Sequence, residues 1–291
     1  MITVLQNLVG GLSAGSLYAL VAVGLVTVFK ATGIINFAQG EIAMVATFLG
    51  LVALQQMGLG YWEAFLFGTL AAAALGLLLE RLFLRPLLHV SHVSQIMVTI
   101  GLGMILNGMA GLQWGYEPRA FPAPVGGAPL NLGGVAVSAD HLAVLGVAVV
   151  AMSALFLFYR YTRLGAAVRA VAQNLPAAQL MGIPAGRVFA VSWAVAAGLG
   201  GIAGMLIAPA TSLEPNFMAE VLIKGFAAAI LGGITSLPGA VVGGLLLGVL
   251  ETAVAGFVST DLKNVFSFSL ILLVLILRPH GLLGQPAARR V

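Results

Sequence analysis

LQNLVGGLSAGSLYALVAVGLVTV, residues 5–28, is a long apolar run rich in glycine and other small residues. A helix crossing a hydrocarbon core of ~30 Å needs about 20 such residues. In water these glycines would weaken a helix; in lipid they let helix backbones approach closely. The stretch has no basic segment before it and no convincing cleavage site, so it is expected to be a first membrane span and not a removed signal peptide.

The rest of the chain repeats this pattern. Its 291 residues are 60% hydrophobic and 8% charged, against about 25% charged in soluble domains. So few charges cannot cover a water-facing surface, and the mean hydropathy of +1.09 agrees. Further apolar segments fall at 41–57, 64–84, 94–114, 139–160, 187–209, 217–235, 239–258 and 264–278. The alternating ten-residue segments of an outer-membrane β-barrel are absent. The expected fold is all-α: a polytopic integral membrane protein with eight to nine transmembrane helices in a single domain over residues 1–291. The run at 41–57 is short, and 217–258 is interrupted only by TSLPG. Broken or re-entrant segments are expected there. The proline-rich loop at 115–138 is expected outside the spans, with room for a short element.

Basic residues set the orientation. They gather at 81–93 (Arg81, Arg85), at 160–187 (Arg160, Arg163, Arg169, Arg187) and in the tail (Arg278, Arg289, Arg290). The loop 55–63 has none and 115–140 only Arg119. With nine crossings all three basic regions lie on the cytoplasmic side, the N-terminus outside and the C-terminus inside. The pI near 9.8 therefore reflects membrane orientation and not nucleic-acid binding.

Several chemistries are excluded. There is no cysteine, hence no disulfide or thiolate. Lys30, Lys224 and Lys263 are followed by Ala, Gly and Asn, so the chain has no P-loop with which to hydrolyse ATP. GLGGIA, Gly198–Ala203, fits a dinucleotide pattern but lies inside an apolar segment. The Gly200–Gly204 spacing reads as helix packing. His89 and His92 lack further ligands nearby, so no metal site is expected.

Polar residues in apolar surroundings are the remaining candidates. In GIINFAQGEIAM, residues 33–44, Asn36, Gln39 and Glu41 punctuate an apolar zone. Polar groups at membrane depth usually face a bundle interior or a cavity. The segment reads either as a pathway-lining element or as an interfacial helix start with Glu41 favoured by the helix dipole. Asn107 suits a hydrogen bond between helices or a place on the pathway. Glu251 lies in an apolar segment and calls for a partner or a cavity. GGITSLPGAVVGG, residues 232–244, reads as a tight turn or as a second broken element.

One island differs from all this: TRLGAAVRAVAQNLPAAQLMGIPAGR, residues 162–187. Val168, Val171, Ala172 and Leu175 follow helical spacing and form one apolar face, with Arg169 and Gln173 on another. Asn174 is placed to cap near Pro176, Gly182 to end a second helical piece, and Pro184 to keep it ended. Two short helices outside the membrane are expected, with an apolar face that must bury against lipid, the chain's own bundle or another protein.

RAVAQNLPAAQLMGI, residues 169–183, resembles the cytoplasmic loop by which ABC importer permeases dock into their ATPase subunits. Ala177, Ala178 and Gly182 match its small-residue-then-glycine pattern, while Gln173 and Asn174 stand where that motif is usually acidic. GIINFAQGEIAM, VTIGLGMIL, YTRLGAAVRAVAQN, GFAAAILGGITSLPGAVVGGLLLGVLE and STDLKNVFSFSLILLVLILRPHGLLG resemble the branched-chain amino-acid permeases, H-type subunit, from about residue 10 to 285.

The resemblance implies a non-enzymatic permease subunit in the bacterial cytoplasmic membrane, importing leucine, isoleucine or valine. It implies a heterodimer with an M-type permease, two cytoplasmic ATPases that use ATP and Mg, and an extracytoplasmic binding protein; this chain itself binds no cofactor. Urea or short-chain amide permeases are the alternative, and a stand-alone secondary transporter or channel is a further one. The docking loop is expected at about 162–186, with ATPase contacts at Arg169, Ala170, Asn174, Ala177, Ala178, Leu180 and Gly182. Asn36, Gln39, Glu41 and Asn107 are the candidates for the translocation pathway.

Overall fold

Every apolar segment becomes a helix in the computed structural model, which describes residues 2–88, 90–132, 135–260, 262–278 and 280–284. In chain order the helices are α1 (Ile2–Thr32), α2 (Gln39–Gln56), α3 (Tyr61–Leu79), α4 (His92–Trp114), α5 (Ala139–Tyr161), α6 (Arg163–Gln173), α7 (Leu175–Leu180), α8 (Ala185–Thr211), α9 (Ala219–Gly232), α10 (Leu237–Phe257) and α11 (Lys263–Leu277). A π-helical turn, Glu80–Leu84, and a short 3₁₀ turn, Arg85–Leu87, continue α3. The loop before α5 holds a hairpin, β1 (Leu130–Leu132) antiparallel to β2 (Val135–Val137), with Leu130 opposite Val137. This hairpin is the short element expected in that loop.

The count of eight to nine spans needs refinement. Six described helices, α1, α3, α4, α5, α8 and α10, are long and apolar enough to cross a membrane. The other three apolar helices fall short. α2 spends its ends on polar residues, Gln39 and Glu41 at one and Gln55 and Gln56 at the other. α9 and α11 have only 14 and 15 residues. Two of these three, α2 and α9, lie where the sequence predicts interruptions.

The chain forms two compact units. One comprises residues 27–124 and 149–222, built on α2, α3 and α8. Small residues bring these three helices together. A Cβ on Gly201 of α8 would lie 2.7 Å from the Ala72 side chain of α3, and one on Gly204 would lie 2.5 Å from Thr47 Oγ1 of α2. On Gly76 of α3 a Cβ would meet Ala197 and the Trp193 carbonyl. GLGGIA is thus helix-packing surface. Ile42, Leu79, Leu102, Leu106 and Trp193 belong to the buried core of this unit.

The other unit comprises α1 up to Val26, residues 125–148 and the described chain from Ile223 onward. Here α1 lies directly on α10: a Cβ on Gly15 would come 2.8 Å from the Gly244 carbonyl oxygen and 2.9 Å from the Leu245 Cα. The segment 232–244 is a tight turn. Ser236 Oγ caps α10 by accepting from Gly239 N at 3.1 Å, and Ser236 N donates to Gly233 O. Gly233 has φ +108°, and its neighbours Leu231 and Gly232 accept from Leu282 and Leu283 N, both at 2.9 Å. A side chain at Gly233 would meet the backbone of Gly284 at 2.5 Å, so glycine is required there on both counts.

Candidate functional site

The island folds as two short helices. Thr162 caps α6: its Oγ1 accepts from Gly165 N at 2.9 Å and donates to Phe158 O at 2.7 Å. Gly165 sits on the end of α5, where a Cβ would lie 2.5 Å from the carbonyl oxygens of Phe158 and Tyr159. Gly165, Val168 and Val171 are buried, and α6 packs on α8. The apolar face therefore buries against the chain's own bundle. Ala172, predicted on that face, is exposed, because burial follows the sequence Gly165, Val168, Val171 and the helix stops at Gln173.

Asn174 separates the two pieces. With φ −155° it ends α6 and caps α7, its Oδ1 accepting from Ala177 N at 3.1 Å. Pro176 lies in the first turn of α7, where no amide hydrogen bond is lost. Gly182, at φ +80°, ends α7 in a Schellman motif: Ile183 N donates to Ala178 O at 3.0 Å.

The predicted contact residues divide accordingly. Arg169, Asn174, Ala177, Leu180 and Gly182 are exposed, and Ala170 is half-buried. Ala178 is 4% exposed and faces inward, so it supports the loop and offers no outer contact. Leu180 and its neighbour Met181 are 89% and 83% exposed. Met181 was not among the predicted contacts, although it directly follows Leu180 at the end of α7.

The segment joining α1 to α2 forms the second site. Gly33, φ +74°, ends α1. Asn36 is buried, and its Oδ1 accepts from Ala38 N at 3.0 Å, shaping the turn into α2. Gln39 is buried and its Nε2 reaches Ala196 O of α8 at 3.5 Å. Thr99 of α4 fastens the segment by accepting from Phe37 N at 3.2 Å. These residues hold backbone in place. Glu41 and Asn107, by contrast, line a cavity of about 580 Å³ with Phe37, Ile100, Met104 and Tyr116. Asn107 Nδ2 donates to Pro215 O at 3.0 Å and to Asn216 Oδ1 at 3.1 Å. Of the pathway candidates, Asn36 and Gln39 serve the framework alone, Asn107 lines the cavity while tied to the framework, and Glu41 lines the cavity. Among the described residues no group of three metal-ligating side chains exists, and His89 lies outside those residues.

The architecture is thus one of membrane-length helices, shorter apolar helices and a capped surface helix pair. The family model "Branched-chain amino acid transport system / permease component" matches residues 7–275. The chain belongs to this permease family. The "High-affinity branched-chain amino acid transport system permease protein LivH" of Salmonella typhimurium is 35% identical over 99% of this chain and 97% of its own length. The similarly named BraD of Pseudomonas aeruginosa is 35% identical over 99% and 98%. Among solved structures, "PsaBC from Streptococcus pneumoniae in complex with Fab" covers 93% of this chain and 91% of its own at TM-score 0.49 and 15% identity.

Two ion pairs of the permease had escaped sequence reasoning as pairs. Glu80 is buried and binds Arg85 through Nη2 at 3.1 Å; the same Nη2 donates to Gly186 O at 2.7 Å. The π-helical turn brings these two residues together and ties the end of α3 to the start of α8, immediately after the surface helices. Arg85 is therefore a structural anchor as well as a loop charge. Lys224 of α9 pairs with Glu251 of α10 at 2.5 Å, both buried, with Lys224 Nζ 5.5 Å from the Tyr18 ring centroid of α1. Glu251 thus has the partner that its position required. The signal available beforehand was the charges themselves within apolar sequence; their pairing spans 27 positions across a turn.

Proposed function

We propose that this permease is the H-type membrane subunit of an ABC importer that carries leucine, isoleucine and valine across the bacterial cytoplasmic membrane. It acts with an M-type permease, an extracytoplasmic binding protein and two cytoplasmic ATPases that use ATP and Mg. The substrate is carried over from its relatives, which are named as branched-chain amino acid permeases. The observation that carries the coupling role is the surface helix pair: α6 is clamped to the bundle by Gly165, Val168 and Val171, while α7 holds Leu180 and Met181 outward. An apolar pair so exposed on a polar segment outside the spans fits a partner protein. The basic residues around it support a cytoplasmic side for it and for the C-terminus. Movement of a docked ATPase would pass through α7 and α6 into α8 as rigid elements, a helix shift of a familiar kind.

The test is copurification and transport. The complete complex in proteoliposomes should accumulate leucine only with ATP and binding protein. Gly182→Arg forces a bulky side chain into a left-handed backbone at the end of α7. It should abolish copurification of the ATPase while the two permeases still assemble. Leucine uptake by this chain alone on an ion gradient would overturn the reading.

A further inference from the structure

The cavity beside α4 holds a group that its own fold does not use. Glu41 Oε2 is buried and has no hydrogen-bond partner among the described residues. It lies against Gly103, where a Cβ would come 3.4 Å from it. Glycine at that position leaves the carboxylate room on the α4 wall. Asn107 spends its amide hydrogens on Pro215 and Asn216, so it is fixed framework. Among the described residues no lysine or arginine lines the cavity. Phe37, Ile100 and Met104 give it an apolar wall, and its volume of about 580 Å³ falls in the range of small-molecule sites, roughly 300–1,000 Å³. All these residues belong to one compact unit.

An intramembrane carboxylate with an oxygen left without a hydrogen-bond partner is costly, and such groups mark pathways. The chemistry that complements this wall is a cationic head on a short aliphatic body. We propose that the cavity is a transit subsite in which Glu41 receives the ammonium group of a zwitterionic α-amino acid, while Phe37, Ile100 and Met104 receive its aliphatic side chain. The solute's carboxylate, unmatched on this wall, is met by water or by the facing permease subunit. The subsite rests on the amino-acid reading above and adds to it the point of contact within this chain.

The absence of cysteine makes the test direct, because Met104→Cys places the first thiol in this chain. In the assembled transporter, that thiol is modified with a cationic and an anionic methanethiosulfonate, against the unmodified chain as background. The cationic reagent should react about tenfold faster. Adding Glu41→Gln should remove the preference, and Glu41→Asp should retain it. Leucine supplied with binding protein and ATP should slow the modification, whereas 4-methylpentanoate, which lacks the ammonium group, should not. Leucine uptake should fall at least tenfold in Glu41→Gln. Equal reagent rates with Glu41 present, or parental leucine uptake in Glu41→Gln, overturn the subsite while the amino-acid reading stands. A parent complex that takes up urea and not leucine overturns both.

Discussion

Lys224 and Glu251 lie in neighbouring apolar helices, and both are buried. Their pairing makes each tolerable, but removing one leaves the other charged and alone. Glu251→Leu is therefore expected to destabilise the protein by about 3–5 kcal/mol, and Lys224→Met by a similar amount. The double variant should recover most of that loss, because a buried ion pair is often replaceable by well-packed apolar groups. Thermal unfolding of the purified complex checks this; equal additivity of the two losses would refute the coupling. The sequence exposes both charges as anomalies but not their relation, since they lie 27 positions apart with the turn that brings α10 back beside α9 between them.

At the scale of elements, glycine decides how helices meet. α8 carries Gly201 and Gly204 against α3 and α2, and the backbone spacing leaves no room for a larger side chain. Gly204→Leu should cost about 1–3 kcal/mol through overpacking and displace α2. Because α2 presents Glu41 to the cavity, the same variant should also lower solute transport beyond its effect on folded yield; uptake per mole of assembled complex measures the two separately.

The surface helices follow different rules. Their start, break and end are written locally in Thr162, Asn174, Pro176 and Gly182, each performing the capping or terminating role that its type predicts. What local rules missed is rotation: Ala172 and Ala178 exchange their expected environments, because the packing of α6 and α7 on α8 sets which small residue faces in.

For the whole molecule, the same chain must hold helices together in lipid and leave one surface free for a partner. Leu180 and Met181 are the surface proposed for it, and little of the fold depends on their exposed side chains. Leu180→Glu should leave the melting temperature of the permease pair unchanged and weaken ATPase association by about 2 kcal/mol, roughly 30-fold. Arg85→Ala should do the reverse. It leaves Glu80 buried and unpaired and releases Gly186 O, so stability should drop by about 3 kcal/mol while Leu180 and Met181 stay exposed. A titration of ATPase against the reconstituted pair, set beside thermal melts, separates a contact residue from an anchor.

By itself the sequence determined the membrane class, the position of every apolar helix, the two-piece surface element and the absence of a P-loop motif. Those features depend on composition, periodicity and caps within a few residues of one another. It also predicted that Asn36, Gln39, Glu41 and Asn107 matter. Only the tertiary structure decided how they differ, because their partners are remote: Gln39 reaches Ala196, and Asn107 reaches Pro215. Asn36, Gln39 and Asn107 are committed to holding the framework, whereas Glu41 lines a cavity and its buried Oε2 makes no hydrogen bond among the described residues. Whether a polar group in an apolar chain is structural or available depends on what lies beside it in space, and periodicity along one helix does not encode that.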